Sequence, residues 1–572
     1  MHTYKALKFL PSNIALQQIF RKELGISCVL AQLLINRGVI NTADADKFLN
    51  TDLNNLLNPY LFDDMRKAAD IIKTAGRNKE KVMIFGDYDV DGITSVALLK
   101  NTLLKIGVDV THYIPHRIKE GYGLSKNILN IVKEKGAKLL ITVDCGTNSR
   151  EQIEHLRRAN IDVIITDHHE PSSGDVSVAS AMINPKIKGE KYGYRDLAGV
   201  GVVYKLCQAL TDDSLVEDLD LVSLGTIADV APLNGENRII TKVGLSGLAR
   251  TNKIGLKALL ENCGIMNKKI TSTSVGFILG PRINASGRMD TAETALKLMT
   301  ADEKNQADEL AKLLETYNRQ RQKIENKIIE EALCEIERKV NFKDHKIIVV
   351  ANEGWHQGVL GVVASKLADR FYRPAIVISL NDGVGRGSGR SIKNFHLFNA
   401  LSECKEFLNV FGGHSHAVGL GIDQDNVDDF KTKINLFAEE NMSLEDLLPS
   451  LDIDMELKLA DIDDKVIAEL EMLEPFGSGN PEPLFYTRNL KLKGLPQLLG
   501  RDTIKFWVND GQFTYQAIGF GKGSLLDGLV KAGSFDMAYN TRMDSWQGET
   551  SIILEVKDIF FTESYPKKTR PS

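Results

Sequence analysis

Between Phe85 and Ser95 the chain reads Phe-Gly-Asp87-Tyr-Asp89-Val-Asp91-Gly92-Ile-Thr-Ser. Three carboxylates within five residues repel one another unless a cation sits among them, and hard divalent cations take such oxygen ligands. The same Asp and Gly also suit an ordinary turn or helix cap, so this stretch alone leaves both readings open. Two further stretches carry related side chains. Leu139-Leu-Ile-Thr-Val143 is followed by Asp144-Cys-Gly146, and Val163-Ile-Ile-Thr166 by Asp167-His168-His169. An Asp beside a ligating His can fix the tautomer of its ring. Mixed carboxylate and imidazole donors favour Mn2+ over an all-oxygen cage for Mg2+. The number of carboxylates points to two ions, an arrangement that can activate water and steady the leaving oxygen in phosphoryl chemistry.

Each cluster follows a short apolar run, and these runs alternate with helical stretches. Strands are expected at 81–85, 110–114, 137–143 and 161–166, with helices at 93–106, 125–135 and 149–159. That rhythm predicts a parallel, doubly wound sheet. Parallel strands point the same way, so the clusters should converge on the carboxyl edge, where such sheets bind ligands. Three separate loops delivering Asp or His to one crevice outweigh the capping explanation.

At 572 residues the chain is too long for one core, so several domains are expected. A net charge of -5 argues against gripping nucleic acid by bulk charge and leaves room only for a local basic groove. The cysteines are scattered with no C-x-x-C pair, which reads as reduced thiols without a zinc or disulfide framework. No signal-peptide pattern and no bilayer-length apolar run is present, so a cytoplasmic protein is expected.

Residues 1–75 read as a helical accessory region packing on the next domain. Arg282 and Arg288 flank Asn284 in what reads as a Gly-rich loop, where a guanidinium fork could grip phosphate. Arg117 follows Pro115 at a strand end and could reach the same crevice. Residues 302–340 contain no Gly or Pro and predict one helix of about 58 Å connecting two domains. From Lys346 a second α/β unit begins, with a strand at 347–350, a helix at 358–371 and a strand at 375–379. Gly383-Val-Gly-Arg-Gly-Ser388-Gly-Arg390-Ser391 then reads as a glycine-rich turn apt for phosphate, followed by Phe411-Gly-Gly-His414. After a turn-rich connector at 473–483 come short strands at 504–508, 515–520, 534–539 and 551–556, which suggest a small β-barrel. Trp507, Phe513, Tyr515, Tyr539 and Trp546 could stack bases, with about half expected to be core or rim.

Asp87-Tyr-Asp-Val-Asp-Gly92, Val143-Asp-Cys-Gly146 and Asp167-His-His169 resemble the first three motifs of the DHH phosphoesterase superfamily. Gly225-Thr-Ile-Ala-Asp229-Val-Ala-Pro-Leu233, followed by Glu236-Asn-Arg238, resembles the fourth. Spacing alone reads Asp229 as a helix end before Pro232; the resemblance makes it a metal ligand. Tyr113-Ile-Pro-His-Arg117, Glu120-Gly-Tyr-Gly-Leu124, Leu197-Ala-Gly-Val-Gly201 and Gly280-Pro-Arg-Ile-Asn284-Ala-Ser-Gly-Arg288-Met-Asp290 narrow the likeness to the RecJ single-strand-specific exonucleases. It runs from about residue 55 to 560.

The resemblance implies an α/β protein with a helical region (1–75), a doubly wound DHH catalytic domain (76–300), a connecting helix (301–342), a smaller α/β DHHA1 domain (343–440), an OB-like β-barrel (450–562) and a basic tail (563–572). It implies two divalent ions, Mn2+ or Mg2+, one held by Asp89 and Asp144 and the other by Asp91, Asp144, His168 and Asp229. Asp87 and His169 would support these or face phosphate. Arg117, Arg282, Asn284 and Arg288 would contact phosphates, Ser388, Arg390 and Ser391 would seat a 5′-phosphate, and His414 would meet the scissile phosphate. Trp507, Tyr515 and Trp546 would stack bases. The implied activity is 5′-to-3′ hydrolysis of single-stranded DNA to 5′-mononucleotides in recombination and repair. A monomer is implied, with a single-strand-binding protein and a repair helicase as partners and no membrane. The alternatives are a DHH hydrolase of oligonucleotides, cyclic dinucleotides or pyrophosphate, and a non-catalytic DNA-binding scaffold. The barrel speaks against the first, and the full ligand set against the second.

Overall fold

The computed structural model describes residues 5–171, 178–546 and 549–561. The chain divides into two compact units. One comprises Leu56–Ala231 and Gly235–Pro449; the other comprises Lys5–Asn55, Pro232–Asn234 and the chain from Ser450.

The first unit opens on a five-stranded, all-parallel sheet in the order Val110–Tyr113, Val82–Gly86, Leu139–Val143, Asp162–Thr166, Ala181–Ile183. Val82–Gly86 and Leu139–Val143 are buried along their whole length, as parallel strands covered on both faces must be. The helix Val90–Lys105 follows strand Val82–Gly86, capped by Asp89, whose carboxylate accepts from Gly92 N at 3.1 Å. Further helices, Gly199–Thr211, Leu219–Ala228 and Gly235–Leu248, complete the domain.

The stretch carrying Arg282, Asn284 and Arg288 is a helix, Gly280–Met289, where a loop was expected. A π-helical segment, Val275–Leu279, leads into it, and Pro281 occupies its first turn, where a missing N–H costs nothing. The connecting helix spans Lys304–Lys339, 36 residues or about 54 Å.

The second α/β sheet of this unit runs Leu408–Gly413, Ala417–Asp423, Val384–Arg390, Ala375–Asn381, Ile348–Glu353, parallel only between the last two. The expected glycine-rich turn is therefore a central strand, Val384–Arg390. The reason lies in its alternation. A Cβ at Gly385, Gly387 or Gly389 would come within 3.0 Å of Ile378, Leu420, Ile422, Leu397 or Val418 side chains. The glycine face thus packs flat against the core, and Arg386, Ser388 and Arg390 occupy the opposite face.

In the second unit, Phe485–Leu499, Thr503–Asn509, Thr514–Phe520, Glu549–Phe561 and Phe535–Trp546 are hydrogen-bonded in that order, and the last pairs back to the first, closing a barrel. The described residues 5–75 do not form one region on the parallel-sheet domain, contrary to expectation. Strand Ala6–Phe9 pairs with Ser450–Ile453, and Phe20, Leu30, Leu33 and Leu34 share a core with Leu457, Phe485, Phe506 and Phe535. The helix Cys28–Asn36 is apolar on nearly every side, and the barrel supplies the surface that buries it. Helix Met65–Arg77 stays with the parallel sheet, where Asp64 accepts from Met182 N at 2.9 Å. The basic tail 563–572 lies outside the described residues.

Candidate active site

Asp87, Asp89, Asp91, Asp144, His168 and His169 meet at the carboxyl edge of the parallel sheet, and Asp229 joins them from the end of helix Leu219–Ala228. Asp144 follows its strand in the left-handed region, φ 58°, a conformation that strains a residue with a Cβ and recurs at functional sites. Donor atoms of three sets lie within 4.8 Å of one another: Asp87, Asp89 and Asp144; Asp91, His168 and Asp229; and Asp144, His168 and His169. His168 Nε2 stands 3.1 Å from Asp144 Oδ1 and 3.7 Å from Asp91 Oδ2, and its Nδ1 stands 3.8 Å from Asp229 Oδ2.

The donor set fits hard divalent ions. Asp87 Oδ1, Asp144 Oδ1 and His168 Nε2 are buried and have no hydrogen-bond partner. Orphaned buried acceptors are costly, and a cation among them removes the cost. Burial and the charge of Asp89 push the Asp87 carboxyl up to about 8 and Asp91 to about 7. Burial and neighbouring carboxylates raise Asp144 and Asp229 well above the ordinary range. Burial, then the His169 charge, lowers His168 to about 3, keeping it neutral as a metal ligand requires.

Residues outside the carboxylates hold this geometry. Gly199 N and Val200 N, opening helix Gly199–Thr211, each donate to Asp91 at 2.7 Å, which gives the Leu197–Gly201 stretch its role. A carboxylate keeps lone pairs for a cation after accepting two such bonds. Asp167 accepts from His169 Nδ1 at 2.7 Å and from Thr147 N at 3.0 Å. It therefore orients His169, not the His168 ring; burial opposes its ionisation, but His169 holds it below the usual carboxylate range. Burial likewise disfavours the His169 cation, yet Asp167 raises it to about 9. Sequence reading gave no role to Tyr122, whose hydroxyl lies 3.1 Å from His169 Nδ1 and 3.4 Å from Asp144 O.

The basic side of the site is assembled from both α/β domains of this unit. Arg117 lies over the Tyr88 ring at 4.6 Å. Arg288 donates to Gly358 O at 2.9 Å; a Cβ on Gly358 would lie 2.4 Å from Arg288 O, so only glycine permits this approach. Burial first, then Arg117, Arg321 and Arg390, pull the Arg288 guanidinium down to about 9. Arg390 donates to Gly389 O at 2.9 Å and lies with Ser388 beside Gly361, in the first turn of helix Leu360–Phe371. A helix start, a hydroxyl and guanidinium groups together favour an anion. His414 stacks on His169 with ring centroids 6.2 Å apart, bringing the Gly-Gly-His segment to the carboxylates. Asn284 Oδ1 is buried without a partner.

Three residues expected to contact phosphate or bases have their side chains engaged elsewhere. Arg282 is engaged by Glu315 on the connecting helix at 2.8 Å and by Ile278 O. Ser391 follows the glycine face and donates to Phe395 O at 2.7 Å. Tyr515 packs on the barrel core, its hydroxyl bonded to Ile462 O. Trp507 is 47% exposed, opposite Lys493 and Gln516, so it is free to stack. Tyr539 is fully buried, and the Trp546 side chain lies outside the described residues.

The DHH family N-terminal domain matches residues 81–226, the DHHA1 domain residues 344–440 and the RecJ OB domain residues 453–558. The chain is 38% identical over 545 residues to the single-stranded-DNA-specific exonuclease RecJ of Bacillus subtilis, covering 95% of this chain and 69% of that one. The chain belongs to the RecJ family. RecJ of Escherichia coli is 32% identical over 568 residues, covering 93% of this chain and 96% of its own. RecJ of Thermus thermophilus, solved in complex with Mn2+, superposes with a TM-score of 0.85 at 27% identity over 99% of this chain and 81% of that one. An exonuclease RecJ bound to manganese superposes with a TM-score of 0.59 at 31% identity, over 67% of this chain and 98% of its own.

Proposed function

We propose that this RecJ-family chain is a single-stranded-DNA-specific exonuclease that hydrolyses from the 5′ end, releases 5′-mononucleotides and serves recombination and repair. One observation carries the reading: a cluster of carboxylates and imidazoles, buried at Asp87, Asp91, Asp144 and His168, stands beside the guanidiniums of Arg117, Arg288 and Arg390. The first fits divalent cations, the second fits phosphate, and a phosphodiester is the group that joins both. Asp87, Asp89 and Asp144 would hold one Mn2+ or Mg2+, and Asp91, Asp144, His168 and Asp229 the other, with Asp144 shared. When bound, such a pair supplies Lewis-acid activation of water and neutralises the charge that builds at phosphorus.

The chain's own residues do the rest. Ser388, Arg390 and the first turn of Leu360–Phe371 seat the 5′-phosphate. Arg117 and Arg288 orient the next phosphate, with His414 and His169 on its open side. Asp167 keeps the His169 ring in place. Trp507, with Lys493 opposite, offers a stacking surface for bases. Single-stranded DNA is the partner these groups suit, and the charge they present is local, since the chain as a whole carries -5. Among the described residues no helix is long and apolar enough to cross a membrane. The family likeness supports a cytoplasmic monomer acting with a single-strand-binding protein and a repair helicase.

The test is digestion of 5′-labelled and 3′-labelled strands with Mn2+. Label should leave first, as mononucleotide, from the 5′ end. First loss from the 3′ end would overturn the polarity, and no release at all would overturn the reaction.

A further inference from the structure

The connecting helix Lys304–Lys339 buries polar side chains midway along its length: Asn318 at 2% exposure, Arg321 at 9% and Glu325 at 1%. Before them, Ala307, Ala311 and Leu314 are buried on the side of the helix that packs with Ile254–Asn262, Gly280–Met289 and Glu293–Met299. After them, Ile328, Ala332 and Ile336 join the core built on Ile348, Val350, Val363 and Leu367 of the DHHA1 domain. The buried charges therefore sit where the helix passes from one domain to the other.

Two of their bonds lie within the helix and set the Glu325 carboxylate, and a third crosses that boundary. Arg321 Nη1 donates to Glu325 Oε2 at 2.6 Å, and Nη2 to Asn318 Oδ1 at 2.7 Å. The other oxygen of Glu325 meets Lys366 Nζ on helix Leu360–Phe371. The first turn of that helix is where Ser388 and Arg390 lie, and just ahead of it Gly358 O accepts from Arg288. The Nε–H of Arg321 is buried with no partner, and its charge is felt at Arg288.

A buried ion pair is a weak way to stabilise a helix contact, because well-packed apolar residues of the same volume do as well or better. Directional bonds do something apolar packing does not: they fix an angle and a distance. We propose that Asn318, Arg321 and Glu325 are positioning residues of the nuclease, locking helix Leu360–Phe371, and with it Ser388 and Arg390, at a set span from the carboxylate cluster. That span selects which phosphodiester is presented for cleavage. The proposal rests on Ser388 and Arg390 seating the 5′-phosphate.

The test uses the full chain with Mn2+ and a 5′-phosphorylated single strand, reading KM, kcat, product length and Tm. Glu325→Gln keeps the side-chain volume and leaves Arg321 without its counter-charge. It should raise KM about tenfold with kcat little changed, as a small displacement of a substrate-binding group would. Dinucleotides should appear among the mononucleotides. The double variant Arg321→Met with Glu325→Met should show both defects even if its Tm equals or exceeds the parent's. Lys366→Met, at a half-exposed position, should move KM in the same direction without loss of folding. Parent-like KM and mononucleotides alone from Glu325→Gln, or a parent-like double variant, would overturn the proposal. A parent protein that releases no mononucleotide would instead overturn the nuclease reading beneath it.

Discussion

The acidic side and the basic side of the site carry opposite charge and are built by different means. Carboxylates arrive on loops that leave parallel strands at one sheet edge, a placement the topology enforces. Guanidiniums arrive from a loop, two helices and a central strand drawn from both α/β domains, a placement only tertiary packing provides. Each side alone is electrostatically frustrated. Buried carboxylates are pushed toward protonation, and loss of hydration with three neighbouring guanidiniums pulls Arg288 down to about 9. Each side therefore lacks a counter-charge that the chain does not supply: cations suit the carboxylates, and an anion suits the guanidiniums.

The largest effect should come from the acidic side. Asp144→Ala removes the carboxylate common to the first and third donor sets. It should cut mononucleotide release by about a thousandfold or more while largely sparing single-strand binding. Substantial residual activity, followed by chromatography of the products, would remove Asp144 from its shared role.

On the basic side, Arg288→Met keeps the volume and removes the charge-assisted phosphate contact proposed for Arg288. The expected fall in kcat/KM is about 30-fold, with metal stoichiometry unchanged. Loss of metal binding in this variant would mean the two sides are not separable.

The sides also differ in their response to pH. Asp87 and Asp91 hold protons in the metal-free folded chain up to about 8 and about 7. Unfolded, they release them near pH 4. Folded values raised above unfolded ones give stability that is full below pH 4 and is lost as pH rises through 7 to 8. Metal-free protein should therefore show a falling Tm between pH 6 and pH 8.5, and added Mn2+ should raise Tm more at pH 8.5. Equal Mn2+ shifts at both pH values would mean that protons and cations do not compete for these groups.

Smaller effects sharpen the comparison. Trp507→Ala should weaken single-strand binding about tenfold or more, read by fluorescence anisotropy, whereas Tyr515→Phe should leave it unchanged. Ser391→Ala and Arg282→Met should change kcat/KM by no more than about twofold, because their side chains are engaged elsewhere. A large loss in either would return that residue to the phosphate group.

The same contrast explains what could be read from the sequence. Asp87, Asp89, Asp91, Asp144 and the His pair were legible because strand, loop and helix alternate in a pattern that allows one sheet and one edge. Asp229 was not, since it ends a helix in a separate segment and owes its place to packing. Arg282 and Arg288 looked equivalent when read as a loop. On a helix, six residues turn them about 120° apart, so one meets Glu315 and the other Gly358 O. The stretch at 383–391 carried a period of two in Gly-Arg-Gly-Ser-Gly-Arg, the signal of a strand. Glycine's poor strand preference hid it. Phe485–Leu499 was missed for a similar reason, since Gly494 and Pro496 sit at its bulge. The docking of residues 5–55 on the barrel has no local signature, because it depends on surfaces some 440 positions apart.

Whether these carboxylates and His168 gather a pair of cations is read most directly by anomalous scattering from crystals grown with Mn2+. Two peaks are predicted, on either side of the Asp144 carboxylate, one reached by Asp87 and Asp89 and the other by Asp91, His168 and Asp229. No peak there, or manganese held only by other side chains, would contradict such a pair.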